Sequence, residues 1–361
     1  VREILEALGS PAPCALVTVT RTMRSSPRPV GSSMVVHADG SIVGNISAGC
    51  VDGDAVLTAE DVLAAGRAVV SRYGVSDETA MSVGLACGGE IDVVVSPGPA
   101  ADLVDLLRGL ERDGVGCALV TVVSPDVLRG RHLAVGPDEV RGTTGRAALD
   151  SALAEQAREL VARGRSGAVT VPGAGAPDEQ SATAVVQVAV PAPRMLVFGA
   201  GSFAGPLVAA GRLVGYRVTL CDARAAFATA ERFPDADEVV VDWPHRYLAG
   251  TTVDARTVIC SLVHDPKFEI PLLVAALRSP AGYVGALGSR RTHAKRVEAL
   301  RREGLGEGEI ARLRAPIGLD LGATTPEETA ISVVAEVVAV RAGGSGQELR
   351  GTTGRIHRES P

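Results

Sequence analysis

Met195 to Arg224 reads MLVFGAGSFAGPLVAAGRLVGYRVTLCDAR, and this stretch decides the fold of the C-terminal half. The short apolar run Met195–Phe198 has the length and composition of a buried parallel strand. A glycine turn follows, from Gly199 to Ala204, and then a helical pattern carried by Leu207, Val208, Leu213 and Val214. A second strand, Arg217–Cys221, ends at Asp222. This is a βαβ dinucleotide fingerprint, with Ala204 at its third small position. Gly199 permits the tight turn, Gly201 admits a pyrophosphate to the backbone, and Ala204 lets helix and strand approach closely. The helix N-terminus, opening at Ser202, offers N–H groups to phosphate. Asp222 is in register to accept ribose hydroxyls, and Arg224 beside it is placed to hold a 2′-phosphate.

Downstream, the strand and helix signals keep alternating. Strands are predicted at Glu238–Val241, Thr257–Leu262 and Gly282–Ala286, and helices at Pro266–Arg278 and Arg290–Glu303. The turn Gly288-Ser289-Arg290-Arg291 places an N-cap serine before two arginines. Cations in a first turn oppose the helix dipole, which points to an anion nearby. Thr325, Pro326 and Glu328 form a capping box that opens the last helix. His264-Asp265 follows the fourth Rossmann strand, at the edge where such folds bind ligands, and is a candidate proton-transfer pair.

Upstream, Pro191-Ala192-Pro193 reads as a linker. Before it come strands at Cys14–Thr20, Ile91–Val95, Cys117–Val123, Gly167–Val171 and Ala184–Val190. Hairpins are expected around Ala38-Asp39-Gly40 and Gly136-Pro137-Asp138. Helices are expected from Val51 to about Tyr73, Pro99 to Asp113 and Ala147 to Arg163, and Pro172–Ser181 as a loop. The expected architecture is therefore α/β. An N-terminal mixed α/β domain (1–190) precedes a C-terminal Rossmann-like domain with a parallel sheet (194–342) and a polar tail (343–361). The hexapeptide RGTTGR occurs at Arg141–Arg146 and again at Arg350–Arg355, and is read as coincidence.

The net charge of −6 argues against a nucleic-acid binder, which would carry a basic face. No apolar run is long enough to span a membrane, and the first residues lack a basic leader, so a cytoplasmic protein is expected. The six cysteines show no CxxC spacing, which disfavours structural zinc and disulfides. Two of them sit in glycine turns. Cys50 lies at the start of a predicted helix, where the dipole favours a thiolate. Cys87 is flanked by glycines that leave its sulfur unshielded, as a soft-metal ligand or sulfur carrier would need.

These motifs together resemble the xanthine dehydrogenase accessory proteins (XdhC/CoxI) over nearly the whole chain. The resemblance is carried by Ser47-Ala48-Gly49-Cys50-Val51-Asp52-Gly53, Cys87-Gly88-Gly89, the fingerprint, Cys221-Asp222-Ala223-Arg224 and Val263-His264-Asp265. It continues through Tyr283–Arg291, Pro316-Ile317-Gly318-Leu319-Asp320 and Pro326-Glu327-Glu328-Thr329-Ala330. Ser202 stands where the family often has histidine and Val263 where it often has threonine, so a role resting on that histidine does not transfer. The resemblance implies a molybdenum cofactor (molybdopterin, alone or as a dinucleotide), protected, presented to a cysteine desulfurase for sulfuration, and delivered to a xanthine dehydrogenase-type enzyme. It also implies that Cys50, Cys87 or both contact molybdenum or carry sulfur. A homo-oligomer is expected. The rival reading is an NAD(P)-dependent oxidoreductase using His264 and Asp265. A module that only docks onto a partner ranks last, because it leaves the fingerprint unexplained.

Overall fold

The apolar alternation of the N-terminal half folds, in a computed structural model, into two five-stranded antiparallel sheets. The structure describes residues 2–23, 28–47, 49, 51–74, 90–172 and 181–353. By contact density the chain divides into units Val1–Pro191 and Ala192–Pro361. In the first unit, α1 (Arg2–Leu8), β1 (Cys14–Met23), β2 (Ser33–His37), β3 (Ile42–Gly44), α2 (Asp52–Ala65), β4 (Val69–Tyr73) and β5 (Glu90–Pro97) come first. The same order then recurs as α3 (Ala101–Arg112), β6 (Cys117–Ser124), β7 (His132–Val135), β8 (Val140–Gly142), α4 (Ala147–Arg163), β9 (Gly167–Val171) and β10 (Ala182–Ala189).

The sheets run β3-β2-β1-β5-β4 and β8-β7-β6-β10-β9, so one half of the unit copies the other. The copy extends to fine detail. Register slips between Val19 and Arg21 in β1, and at the equivalent place where Val122 and Ser124 pair with Ala184 and Thr183. Gly44 and Gly142 both have positive φ, and a Cβ on either would lie 2.4 and 2.3 Å from the carbonyl oxygens of Ser33 and His132. Asp52 accepts from the Ile46 and Ser47 amides (2.8 and 3.2 Å), as Asp150 does from the Thr144 amide (2.8 Å), tying each loop to the helix after it. The sequence bears the trace: Cys14–Val19 and Cys117–Val122 both read CALVTV. RGTTGR does not mark this repeat, since its second copy belongs to the other unit.

The expected helix from Val51 to Tyr73 is a correction. α2 stops at Ala65 because Gly66 takes the left-handed conformation as its C-cap, and Val69–Tyr73 pairs with β5 as a strand. β-Branched Val69 and Val70 suit an extended backbone better than a further helical turn. The helix that does form buries Ala55, Ala59 and Val62 on one face.

The halves share a core built from Ile4, Leu5, Leu8, Leu103, Val104 and Leu107 with Leu16, Val35, Leu119 and Ala134. Two buried polar clusters flank it. Gln187 Nε2 donates to Ser33 Oγ (2.6 Å), and Ser33 donates in turn to Thr18 Oγ1 (3.3 Å). At the equivalent place His132 Nε2 lies 3.1 Å from the Pro97 carbonyl and 3.3 Å from Ser96 Oγ, and Nδ1 lies 3.1 Å from Thr121 Oγ1. A carbonyl can only accept, so Nε2 carries the proton and Nδ1 accepts from Thr121.

The second unit holds a six-stranded parallel sheet: β11 (Arg194–Phe198), β12 (Arg217–Cys221), β13 (Glu238–Val240), β14 (Val258–Ser261), β15 (Tyr283–Ala286) and β16 (Leu313–Arg314). Their order, β13-β12-β11-β14-β15-β16, is that of a Rossmann domain, with its switch point between β11 and β14. α5 (Ala204–Leu213) and α10 (Pro326–Ala342) pack on one face of the sheet. α6 (Pro244–Gly250), α7 (Pro266–Arg278), α8 (Arg290–Arg302) and α9 (Glu307–Ile310) lie on the other. α6, α9 and β16 were not anticipated: each is too short to show a full period. α7 and α8 are tied by the buried pair Arg296–Glu269 (2.6 Å).

Candidate functional site

The switch point opens a cavity of about 540 Å³ in the second unit, within the range of small-molecule sites. Gly199, Gly201, Ser202, Asp222, Arg224, His264 and Asp265, all predicted from sequence, line it. Gly199 has φ +107°, and a Cβ there would lie 3.1–3.2 Å from the Leu262 and Val263 backbone, so strand, turn and neighbouring loop require glycine. Gly201 differs. A Cβ on it would meet nothing within 4 Å, which leaves open space beside the turn that begins α5. Ala204, fully buried, lets α5 lie against the sheet, and Gly211 further along the same helix does so over Met195. No acidic side chain occupies the first turn of α5, so its dipole is free to favour an anion.

The acid of the fingerprint is already occupied. Asp222 Oδ1 accepts from the Arg224 amide and Nε (both 2.9 Å); Oδ2 accepts from the Ala200 amide (2.8 Å) and Arg224 Nη2 (2.7 Å). Burial alone would raise the Asp222 pKa, but the hydrogen bonds from Arg224 and the Ala200 amide outweigh it and hold the carboxyl below its ordinary range. Hydrogen bonding to Asp222 in turn raises the Arg224 pKa. The guanidinium lies 4.4 Å over the Phe227 ring.

His264 and Asp265 stand together at the rim without pairing. Asp265 caps α7, accepting from the Lys267 amide (3.1 Å), with Lys267 Nζ 3.2 Å from its carboxylate. The Lys267 amide chiefly holds its pKa low. His264 is exposed and has no hydrogen-bond partner among the described residues. The pair is a helix cap beside a solvated imidazole, without the carboxylate–imidazole bond that would orient a proton donor.

Gly288, Ser289, Arg290 and Arg291 are not among the lining residues of this cavity. They sit after β15, one strand beyond β14, where Ser289 caps α8 through the Thr292 amide (3.1 Å) and both arginines are exposed. Sequence reasoning missed Phe203, Pro244, Lys267 and Phe268, which also line the cavity. Trp243, the only tryptophan, packs edge-on to Phe268 with ring centroids 4.9 Å apart. The signal was Trp243-Pro244, a proline at the first position of α6.

Cys50 and Cys87 lie outside the described residues. The other four cysteines are free thiols. Burial raises Cys14, lifts Cys117 to about 11, and lifts Cys221 and Cys260 to about 12, so none of these is a thiolate at neutral pH. Among the described residues no group of three or more His, Cys, Asp or Glu could hold a metal ion, and no helix is long and apolar enough to cross a membrane.

Comparison with known proteins agrees with this layout. A family model described as the XdhC Rossmann domain matches residues 195–337. The model of the XdhC and CoxI family matches residues 7–74 and 110–172, segments that fall in the two halves of the repeat. The molybdenum cofactor insertion chaperone PaoD of Escherichia coli (strain K12) is 26% identical over 94% of this chain and 87% of its own length. A probable xanthine dehydrogenase subunit of Bacillus subtilis (strain 168) is 29% identical over 45% of this chain and 47% of that protein. A solved structure described as a xanthine dehydrogenase from Bacillus halodurans has the same fold, with a TM-score of 0.69 at 24% identity over 97% of both chains. From the fingerprint on the Rossmann sheet to the paired N-terminal segments, the chain belongs to the XdhC and CoxI family.

Proposed function

We propose that this protein binds the molybdenum cofactor as cargo and delivers it to a xanthine dehydrogenase-type enzyme. The observation that carries this reading is the cavity at the switch point. It combines the open space at Gly201, the unopposed N-terminus of α5 and the cations Arg224 and Lys267, a set suited to the phosphate of a pterin cofactor. Phe203 and Phe268 supply apolar wall for a planar ring. The PaoD name and the family match support the same class of cargo. The protein works in the cytoplasm in this reading.

Its own residues bind and shield rather than turn over. Presentation for sulfuration by a cysteine desulfurase falls to Cys50 and Cys87, because burial keeps the other thiols protonated. The NAD(P)-dependent oxidoreductase is less well supported. Both oxygens of Asp222 are taken by protein donors, which disfavours the free ribose of NAD. For either nucleotide, Asp265 is turned to Lys267 rather than His264, which leaves the imidazole without an orienting carboxylate.

The test is the molybdenum and pterin content of the chain purified from molybdate-fed cells, for the natural protein and for Cys50→Ser and Cys87→Ser. We expect near-stoichiometric molybdenum and pterin, reduced in at least one variant along with activation of an apo-molybdoenzyme. Metal-free protein that oxidises NAD(P)H would refute the carrier. Undiminished loading and activation in both variants would remove the cysteines from it.

A further inference from the structure

We infer that Arg224 decides which ligand the C-terminal cavity accepts. By closing Asp222, it turns the place that would take a ribose diol into one that takes a phosphate monoester. This rests on the cavity being a ligand site, as proposed above, and concerns the chemistry at one end of that ligand.

A carboxylate has about four acceptor positions. Those of Asp222 are filled by the Ala200 amide, the Arg224 amide, Arg224 Nε and Arg224 Nη2, at 2.7–2.9 Å. The side chain of Asp222 is only 7% exposed, so no unused lone pair faces the cavity. A vicinal diol approaching it would meet the guanidinium first. That guanidinium is fixed on two sides, by the fork to Asp222 and by the Phe227 ring beneath it. The fork uses Nε and one Nη2 hydrogen, which leaves both Nη1 hydrogens and the second Nη2 hydrogen as donors. Arg224 is 55% exposed and lines the cavity, so these donors are accessible to a ligand there. Lys267 lines the same cavity, and α5 starts beside it without an acid. At Asp222 the acceptors are spent and the Arg224 donors remain, which at this end of the cavity rejects hydroxyls seeking a carboxylate and receives phosphate oxygens. Asp265, the other lining carboxylate, is paired with Lys267 at the rim.

NADH and NADPH are suitable probes because they differ only by a 2′-phosphate on the adenosine ribose. Each is titrated into the full chain, and binding is read by energy transfer from Trp243, whose ring packs on the lining residue Phe268. The natural protein should bind NADPH at least ~10-fold more tightly than NADH, the loss expected when charged hydrogen bonds are missing. Arg224→Ala removes two of the four donors on Asp222, so NADPH binding should fall by ~10-fold or more and NADH binding should rise. Arg224→Gln guards against a folding defect and should also lose the preference. Asp222→Asn added to Arg224→Ala should abolish the gain in NADH binding. Equal affinity of the natural protein for both probes would overturn the inference, as would equal weakening of both by Arg224→Ala or no binding of either. Protein that carries molybdenum without this preference loses only the role of Arg224. Protein that shows the preference but carries no molybdenum loses the carrier reading instead.

Discussion

Acid should loosen the N-terminal unit through one imidazole. His132 bridges the two halves, donating to the Pro97 carbonyl and accepting from Thr121, with Ser96 also at hydrogen-bond distance. None of these neighbours titrates. Burial lowers the His132 pKa from 6.5 to about 4. The unfolded chain therefore takes up a proton near pH 6.5 that the folded chain refuses until about pH 4. Stability from this group is fully present above pH 6.5 and falls as the pH drops through that window, by about 3 kcal/mol in all and about 2 kcal/mol between pH 7 and 5. His132→Gln keeps a donor and an acceptor at the seam but cannot titrate. Hydrogen exchange of β6 and β7 peptides, followed by mass spectrometry, gives the unfolding free energy of this unit at each pH. The natural chain should lose about 2 kcal/mol more than His132→Gln between pH 7 and 5. Parallel losses in the two proteins would refute the reasoning and mean that water reaches the ring.

Gly201→Val should keep the fold, because a Cβ there meets nothing within 4 Å, yet abolish molybdenum and pterin loading by filling the approach to α5; unchanged loading would move the site elsewhere. Gly44→Ala and Gly142→Ala, each aimed at a carbonyl oxygen with φ near +86°, should destabilise by similar amounts of more than about 1 kcal/mol in denaturant titrations. A large loss at one and none at the other would break the equivalence of the two halves.

How much of this was legible beforehand varies along the chain, for physical reasons. The Rossmann half was readable because its elements are local: strand, glycine turn, helix and acid follow within one stretch, and each small residue has a steric task. Helix ends marked by Ser289 and Thr325 were equally plain, since a cap bonds its own first turn. The end of α2 was harder: apolar Val69 and Val70 continue a helical pattern, and only pairing with β5 makes them a strand.

The duplication of the N-terminal unit was written in CALVTV but became evident only once both sheets showed one order, because equivalent residues meet through long-range pairing. The sequence alone determined the family, the dinucleotide-type turn and the candidate thiols. Tertiary structure decided what the turn's acid can do. Asp222 reads as a ribose acceptor in one dimension, and in three its four acceptor positions belong to Arg224 and Ala200. Hydrogen-bond saturation depends on which donors arrive from other segments and at what angle, and no spacing along the chain records that.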